Sequence, residues 1–348
     1  MRSIGLDVHH RFIQATVISD NGEITHFRVP TTEAGLTELK ERCGPDSKVV
    51  FEASTSSFRL YDVLCAHAAE VIVAHPAQTR GASAWHVKTD MRDSETLARL
   101  LSTGFIRPVW VPDRERRSLR GLLEYRQRLS RERLVLLNRA SAKVREEMLE
   151  YPKGLTRGAG DSLACLESMT WPDPDPSQAL MVRSVVRVAT LVQQELTAID
   201  AALAEWSKAH PQAVLLQSIP GVGPVIAAIL VADIGDVARF PTAAKLCAYA
   251  GMVPTVYASG KTLHIGHLSH AGRHLLRWAL WMATLRLVRS DRQFHAFYTR
   301  LSGRRPKRTA LVACCRKLLT VVWHMLRTGQ EFRRQALPRD KEVDPITK

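Results

Sequence analysis

Apolar positions in the first thirty residues fall into short alternating runs, Ile4 to Val8, Phe12 to Ser19 and Ile24 to Val29, with a turn signal at Asp20-Asn21-Gly22. The pattern predicts three strands in a β-meander. A helix is expected from Thr32 to Cys43, a strand from Lys48 to Ala53, a helix from Phe58 to Ala69, and a strand from Val71 to Ala74 that ends at His75-Pro76. Strands followed by alternating helices and strands suggest a mixed sheet with helices packed on it, as in the ribonuclease H fold.

Beyond residue 110 the period changes from two to between three and four. Leu119, Leu122, Leu129, Leu136, Ala140, Val144 and Met148 form a heptad-like stripe with dense arginine between, on a helix expected over 114–150. A Pro/Gly/Asp-rich stretch from Pro152 to Ser177 interrupts it, and a second stripe follows through Val185, Val188, Val192, Leu196, Ile199, Leu203 and Trp206. The two helices look like an antiparallel hairpin or a dimerising coiled coil, and an ordinary helical-bundle linker accounts for them as well as the dimer does.

The segment Ser218-Ile219-Pro220-Gly221-Val222-Gly223-Pro224 then leads into an apolar helix from Val225 to Ile234. It resembles the hairpin of a helix-hairpin-helix unit, whose glycines let backbone N–H groups approach phosphate. Helices are expected at Thr242 to Ala250 and Ala271 to Val288, with a polar loop, Thr255 to Lys261, between them. Residues 337–348 read as a disordered tail.

Charge then narrows the function. Lys and Arg number 49 against 34 Asp and Glu, a formal net charge of +15 spread along the chain, which favours a polyanionic partner. The six cysteines show no CxxC pairing or zinc spacing, so reduced thiols in a cytoplasmic protein are expected. No run approaches the roughly 18 consecutive apolar residues of a membrane span, and no membrane partner is expected.

Four acids stand at the ends of apolar runs: Asp7, Glu52, Asp90 and Asp93. The last two are three residues apart, so a helix puts both on one face. Any one of them alone could be a solvated cap, but four carboxylates sharing a site need a divalent cation between them, and Mg²⁺ (or Mn²⁺) also binds phosphate oxygens. Ser259 is a second candidate, with Lys261, His264, His267 and His270 close in sequence; on composition alone it is a loop serine. No carboxylate lies among the histidines, and zinc is not assigned.

Gly5-Leu6-Asp7-Val8, Glu52, Lys88-Thr89-Asp90-x-x-Asp93, Pro220 to Pro224, Tyr249 to Pro254, Ser259-Gly260-Lys261 and Gly272-x-x-x-Leu276-Arg277 occur in this order. Together they resemble the DEDD transposases of bacterial insertion sequences, the insertion-sequence 110 family, which is related to Piv-type DNA invertases. The resemblance implies a RuvC-like, ribonuclease H-fold domain over 1–110, a helical coiled-coil linker over 111–210, a mainly α-helical transposase domain with the serine loop over 211–330, and a tail over 331–348. It implies catalysis by Asp7, Glu52, Asp90 and Asp93, which hold the metal, and by Ser259, which forms a covalent link to DNA. Donor and target DNA, a guide (bridge) RNA and a homo-oligomer with a composite site would be the partners, in a nucleoid-associated protein. Lys88, Gly221, Gly223, Gly260, Lys261, Arg273 and Arg277 are the expected nucleic-acid contacts. Two departures are Ser94, where the family usually has Ala, and histidine at 264, 267 and 270, where it often has Arg or Lys. Ser269 is the fallback nucleophile. The rival readings are a metal-only nuclease of the Holliday-junction type, a non-catalytic nucleic-acid-binding relative, and a Piv-type invertase.

Overall fold

A computed structural model describes residues 1–79, 89–146, 148, 163, 166, 176–259, 262–269 and 272–335. The chain divides into two compact units, Met1–Pro112 and Asp113–Lys348.

In the first unit, β1 (Arg2–Val8), β2 (Phe12–Ile18) and β3 (Ile24–Pro30) form the expected meander. They are followed by helix α1 (Glu33–Arg42), β4 (Ser47–Glu52), α2 (Ser57–Leu64), β5 (Glu70–Ala74), a single turn α3 (Pro76–Thr79) and α4 (Asp90–Ser102). The sheet order is β3-β2-β1-β4-β5, with β1 antiparallel to β2 and parallel to β4. The central strands are covered on both faces, which is why β4 and β5 read as nearly continuous apolar runs. Ile4, Leu6, Val49 and Phe51 pack on one face with Leu39 of α1 and Leu60 and Leu64 of α2. The other face places Val50, Ile72 and Ala74 under Leu97 and Leu101 of α4.

Gly5 sets how closely α4 approaches. A Cβ at Gly5 would lie 2.1 Å from the Ser94 carbonyl oxygen and 2.5 Å from the Ala98 nitrogen. Ser94 is fully buried at this crossing; its Oγ lies 2.7 Å from Thr16 Oγ1 of β2 and donates to the Met91 carbonyl at 2.9 Å. The hydroxyl is satisfied in place.

Among the described residues the second unit's regular structure is helical apart from one hairpin. Helices α5 (Arg114–Glu146) and α6 (Pro176–Ala209) pack along each other. Arg126 donates to Asp200 at 2.9 Å and Arg133 donates to Gln193, so partner numbers fall as residue numbers rise. The pair is therefore an antiparallel hairpin within one chain. Leu119, Leu123 and Leu129 meet Leu196, Ile199 and Leu203. The stripe is shifted by one position in places, burying Leu123 and Leu137 more fully than Leu122 and Leu136, and Met148 is exposed with a positive φ.

Short helix α7 (Pro211–Leu216), α8 (Pro224–Ile234), α9 (Ala243–Tyr249), α10 (His274–Ser290), α11 (Arg292–Ser302) and α12 (Lys307–Thr328) build the remaining core. By length and hydropathy α12 alone among the described helices could cross a membrane, but it packs Leu311, Leu318, Leu319 and Val322 into this core. The expected loop at 255–261 is instead mostly strand: β6 (Pro254–Ser259) pairs antiparallel with β7 (Thr262–Leu268). Thr262-Leu263-His264-Ile265 alternates polar and apolar residues in the manner of a strand, a short signal overshadowed by the helical patterns on either side. Cys43, Cys247, Cys314 and Cys315 are buried free thiols, and burial pushes the Cys43 thiol up to about 12. Cys165 and the tail beyond 335 lie outside the described residues.

Candidate functional site

The acids of the first unit gather where β1 and β4 end and α4 begins. Asp7 is the next-to-last residue of β1, and it pairs with Gln14 of β2, which pairs with Arg28 of β3. On the other side Leu6 pairs with Phe51, so Glu52 at the end of β4 stands level with Asp7. Thr89 caps α4, its side chain accepting from the Arg92 N–H at 3.3 Å. Asp90 and Asp93 thus lie in the first turn, where the helix dipole favours negative charge. The packing of α4 onto Gly5 brings that turn to Asp7.

A residue with no role in the sequence reading lies among them. His9 Nε2 is 2.8 Å from Asp7 Oδ2 and 3.3 Å from Asp90 Oδ1. These three side chains form a group able to hold a metal ion, each offering one ligand atom. Burial pushes the Asp7 carboxyl above its ordinary range; the His9 bond opposes the shift, and the nearby Asp93 and Asp90 charges add to it. Glu52 accepts a hydrogen bond from Thr79. At the rim, the Arg28 guanidinium lies 4.1 Å over the Phe12 ring, donates to Gln14 at 3.0 Å and reaches within 3.9 Å of Asp90.

The donor set fits a divalent ion. Two ligands at right angles, each about 2.1 Å from an ion, stand about 3.0 Å apart, and the 2.8 and 3.3 Å spacings bracket that value. The partly buried, mutually repelling acids also supply the charge that such an ion would neutralise.

In the second unit, Ser259 is the last residue of β6 and pairs with Thr262. Lys88, Gly260, Lys261 and His270 lie outside the described residues, as do the side chains of Ser259 and His264. His267 and His274 are exposed. Ser269, by contrast, has its hydroxyl oxygen buried with no partner among the described residues.

Gly221 and Gly223 differ in what they do. Gly221 has φ +91°, and a Cβ there would meet Arg286 Cβ of α10 at 2.6 Å, so its glycine is accounted for by turn geometry and helix packing. Gly223 caps α8 with open space around it. Arg273 is engaged internally: its Nε lies 2.6 Å from Asp233 Oδ1, and its Nη2 donates to Glu124 at 2.5 Å. Arg120 reaches the same Asp233 oxygen at 3.2 Å. A phosphate at Arg273 would have to compete with two carboxylates. Arg277 donates to the Gly272 carbonyl.

The arginines of α5 differ in their surroundings. Arg116, Arg120, Arg126 and Arg133 are bound to acids or amides, whereas Arg114, Arg128, Arg131, Arg139 and Arg145 are exposed.

Residues 4–148 match the family model of the IS110 DEDD transposase, and residues 213–299 match the Transposase IS116/IS110/IS902 family. An uncharacterized protein of insertion element IS110 from Streptomyces coelicolor is 33% identical over 47% of this chain and 40% of its own length. The transposase for insertion sequence element IS1111A of Coxiella burnetii is 28% identical, covering 71% of this chain and 68% of that protein. A probable family 20 transposase of Pseudomonas aeruginosa is 28% identical over 69% of this chain and 72% of that protein. With Asp7, Glu52, Asp90 and Asp93 inside the first match and the second match covering part of the helical unit, the chain belongs to the IS110 family of transposases.

Proposed function

We propose that this protein is the transposase of an insertion sequence, a metal-dependent DNA recombinase that uses Asp7, Glu52, Asp90 and Asp93 together with Ser259. The observation that carries the reading is the meeting of Asp7, Asp90 and Asp93 across strand and helix, with Glu52 level on the next strand. The 3-2-1-4-5 strand order supports a RuvC-like ribonuclease H fold for residues 1–112.

A Mg²⁺ or Mn²⁺ ion bound there supplies Lewis-acid stabilisation of phosphate charge. The hydroxyl of Ser259 attacks phosphorus, a serine–phosphate bond forms, and the bond to the departing sugar oxygen breaks, that oxygen taking up the proton. Attack by a sugar hydroxyl of the exchanged strand reverses these steps and rejoins DNA without external energy. Ser259, next to the turn of a hairpin, suits this role better than Ser269, whose hydroxyl oxygen is buried. Exposed Arg114, Arg128, Arg131, Arg139 and Arg145 offer a surface to the backbones of DNA and of a guide (bridge) RNA. Leu134, Val135, Leu180, Met181, Val188 and Leu191 are exposed on the helical hairpin and suit a homo-oligomer that shares acids and serine between protomers. A cytoplasmic, nucleoid-associated location follows from these partners.

The test incubates purified protein, co-purifying RNA and DNA carrying the element ends with Mg²⁺, and looks for labelled DNA attached to protein on a denaturing gel. An adduct lost in Ser259→Ala and in chelator supports the recombinase. Cleavage without an adduct in either protein points to the metal-only nuclease, and DNA binding that survives chelator with no cleavage points to a non-catalytic relative.

A further inference from the structure

We infer that His9 is a direct nitrogen ligand of the divalent ion at the acidic site, and that the site therefore prefers Mn²⁺ to Mg²⁺. The inference deepens the metal-dependent reading above and rests on it. His9 follows β1 by one residue, so its backbone is fixed by the sheet: its N–H donates to the Phe12 carbonyl at 2.9 Å, and its carbonyl accepts from Thr31 Oγ1 at 3.1 Å. The ring is held against Phe12, with centroids 4.8 Å apart. From that position Nε2 points between Asp7 and Asp90, which belong to different elements. Its spacing from each matches two ligands at right angles on one ion. An imidazole with only an orienting role would bind one carboxylate from outside the metal's shell; this one faces both.

The consequence is selectivity. Mg²⁺ holds oxygen ligands and its own waters and gains little from an imidazole, whereas first-row transition ions accept nitrogen readily. Mn²⁺ combines that tolerance with octahedral, carboxylate-rich coordination, so replacing one oxygen by the His9 nitrogen favours it over Mg²⁺.

The test uses the purified full chain with Mn²⁺ as the probe. Pulsed electron paramagnetic resonance reads whether a nitrogen is bonded to bound Mn²⁺, and competition titrations give the Mn²⁺ and Mg²⁺ affinities. The wild type should show a directly bonded nitrogen. His9→Gln and His9→Ala should lose it and bind Mn²⁺ roughly tenfold to a hundredfold more weakly, with Mg²⁺ affinity falling far less. Unchanged melting curves in chelator establish that both variants fold. Bound Mn²⁺ with no directly bonded nitrogen in the wild type, or a nitrogen signal that persists in both variants, overturns the assignment while leaving the acidic site in place. If Asp7→Asn and Asp90→Asn leave Mn²⁺ affinity unchanged, the acidic metal site fails, and the inference with it.

Discussion

Replacing Gly5 by alanine adds one methyl group to the middle of β1, at the point where α4 crosses the sheet. The added Cβ would stand 2.1 Å from the Ser94 oxygen, 2.5 Å from the Ala98 nitrogen and 3.0 Å from Leu97 Cβ. Two of these are backbone atoms of α4 and cannot rotate away, so the helix must withdraw by roughly 1 Å. Overpacking of this kind costs about 1–3 kcal/mol. Loss of the Thr16–Ser94 hydrogen bond adds about 1 kcal/mol, for a total of roughly 2–4 kcal/mol, a sizeable part of the 5–15 kcal/mol typical of a folded protein. The same displacement carries Asp90 and Asp93 away from Asp7 and His9, so Mn²⁺ affinity should fall at least about tenfold, by analogy with disturbed metal shells. The assay is urea unfolding in chelator followed by circular dichroism, with calorimetric Mn²⁺ titration at a urea concentration where both proteins are folded. Gly121→Ala supplies the control, since a Cβ at that helical position meets nothing within 4 Å. There the identical substitution should stabilise by about 0.5–1 kcal/mol. A Gly5→Ala protein with wild-type stability and metal affinity would refute the claim that this glycine sets the distance between helix and strand.

Three further outcomes follow from the same geometry. Because burial raises the folded-state pKa of Asp7, the fold binds its proton more tightly than the unfolded chain does. The contribution of this group to stability in chelator is therefore fully present below the unfolded value near pH 4 and is lost as pH rises through the raised one; Asp7→Asn should melt higher than wild type at pH 7, the gap should close toward pH 4, and added Mn²⁺ should reverse the ranking. Asp233→Ala leaves Arg120 and Arg273 without their shared buried carboxylate, and denaturant unfolding should show a loss of about 3–5 kcal/mol, nearer the lower figure because Glu124 remains on Arg273. Ser94→Ala removes a single satisfied hydroxyl and should cost about 1 kcal/mol by urea unfolding, with Mn²⁺ affinity unchanged by calorimetry.

What could be read from the sequence, and what could not, follows the range of the interactions involved. The meander and the stripes on the two long helices are local patterns, and alternation and periodicity announced them. Asp7 and Glu52 were legible as candidates, because a carboxylate ending an apolar strand is conspicuous. His9 was not, since beside a strand it is an ordinary turn histidine; only the crossing of α4 over Gly5 brings Asp90, eighty-one positions away in the chain, to its ring. Basic residues show the same limit from the other side. Arg273 and Arg128 carry equal charge in the sequence, yet a buried aspartate on an otherwise apolar helix claims the first and leaves the second exposed. The signal for that claim was Asp233 itself, since a carboxylate inside the run from Val225 to Ile234 must have a cationic partner. The count of 49 Lys and Arg therefore overstates the surface open to a polyanion, because the pairs such as Arg273–Asp233 have already cancelled in the net charge of +15. The arginines that bind acids within the helical unit hold its helices together, and salt-dependent binding to a phosphate backbone should depend on the exposed arginines of α5 instead.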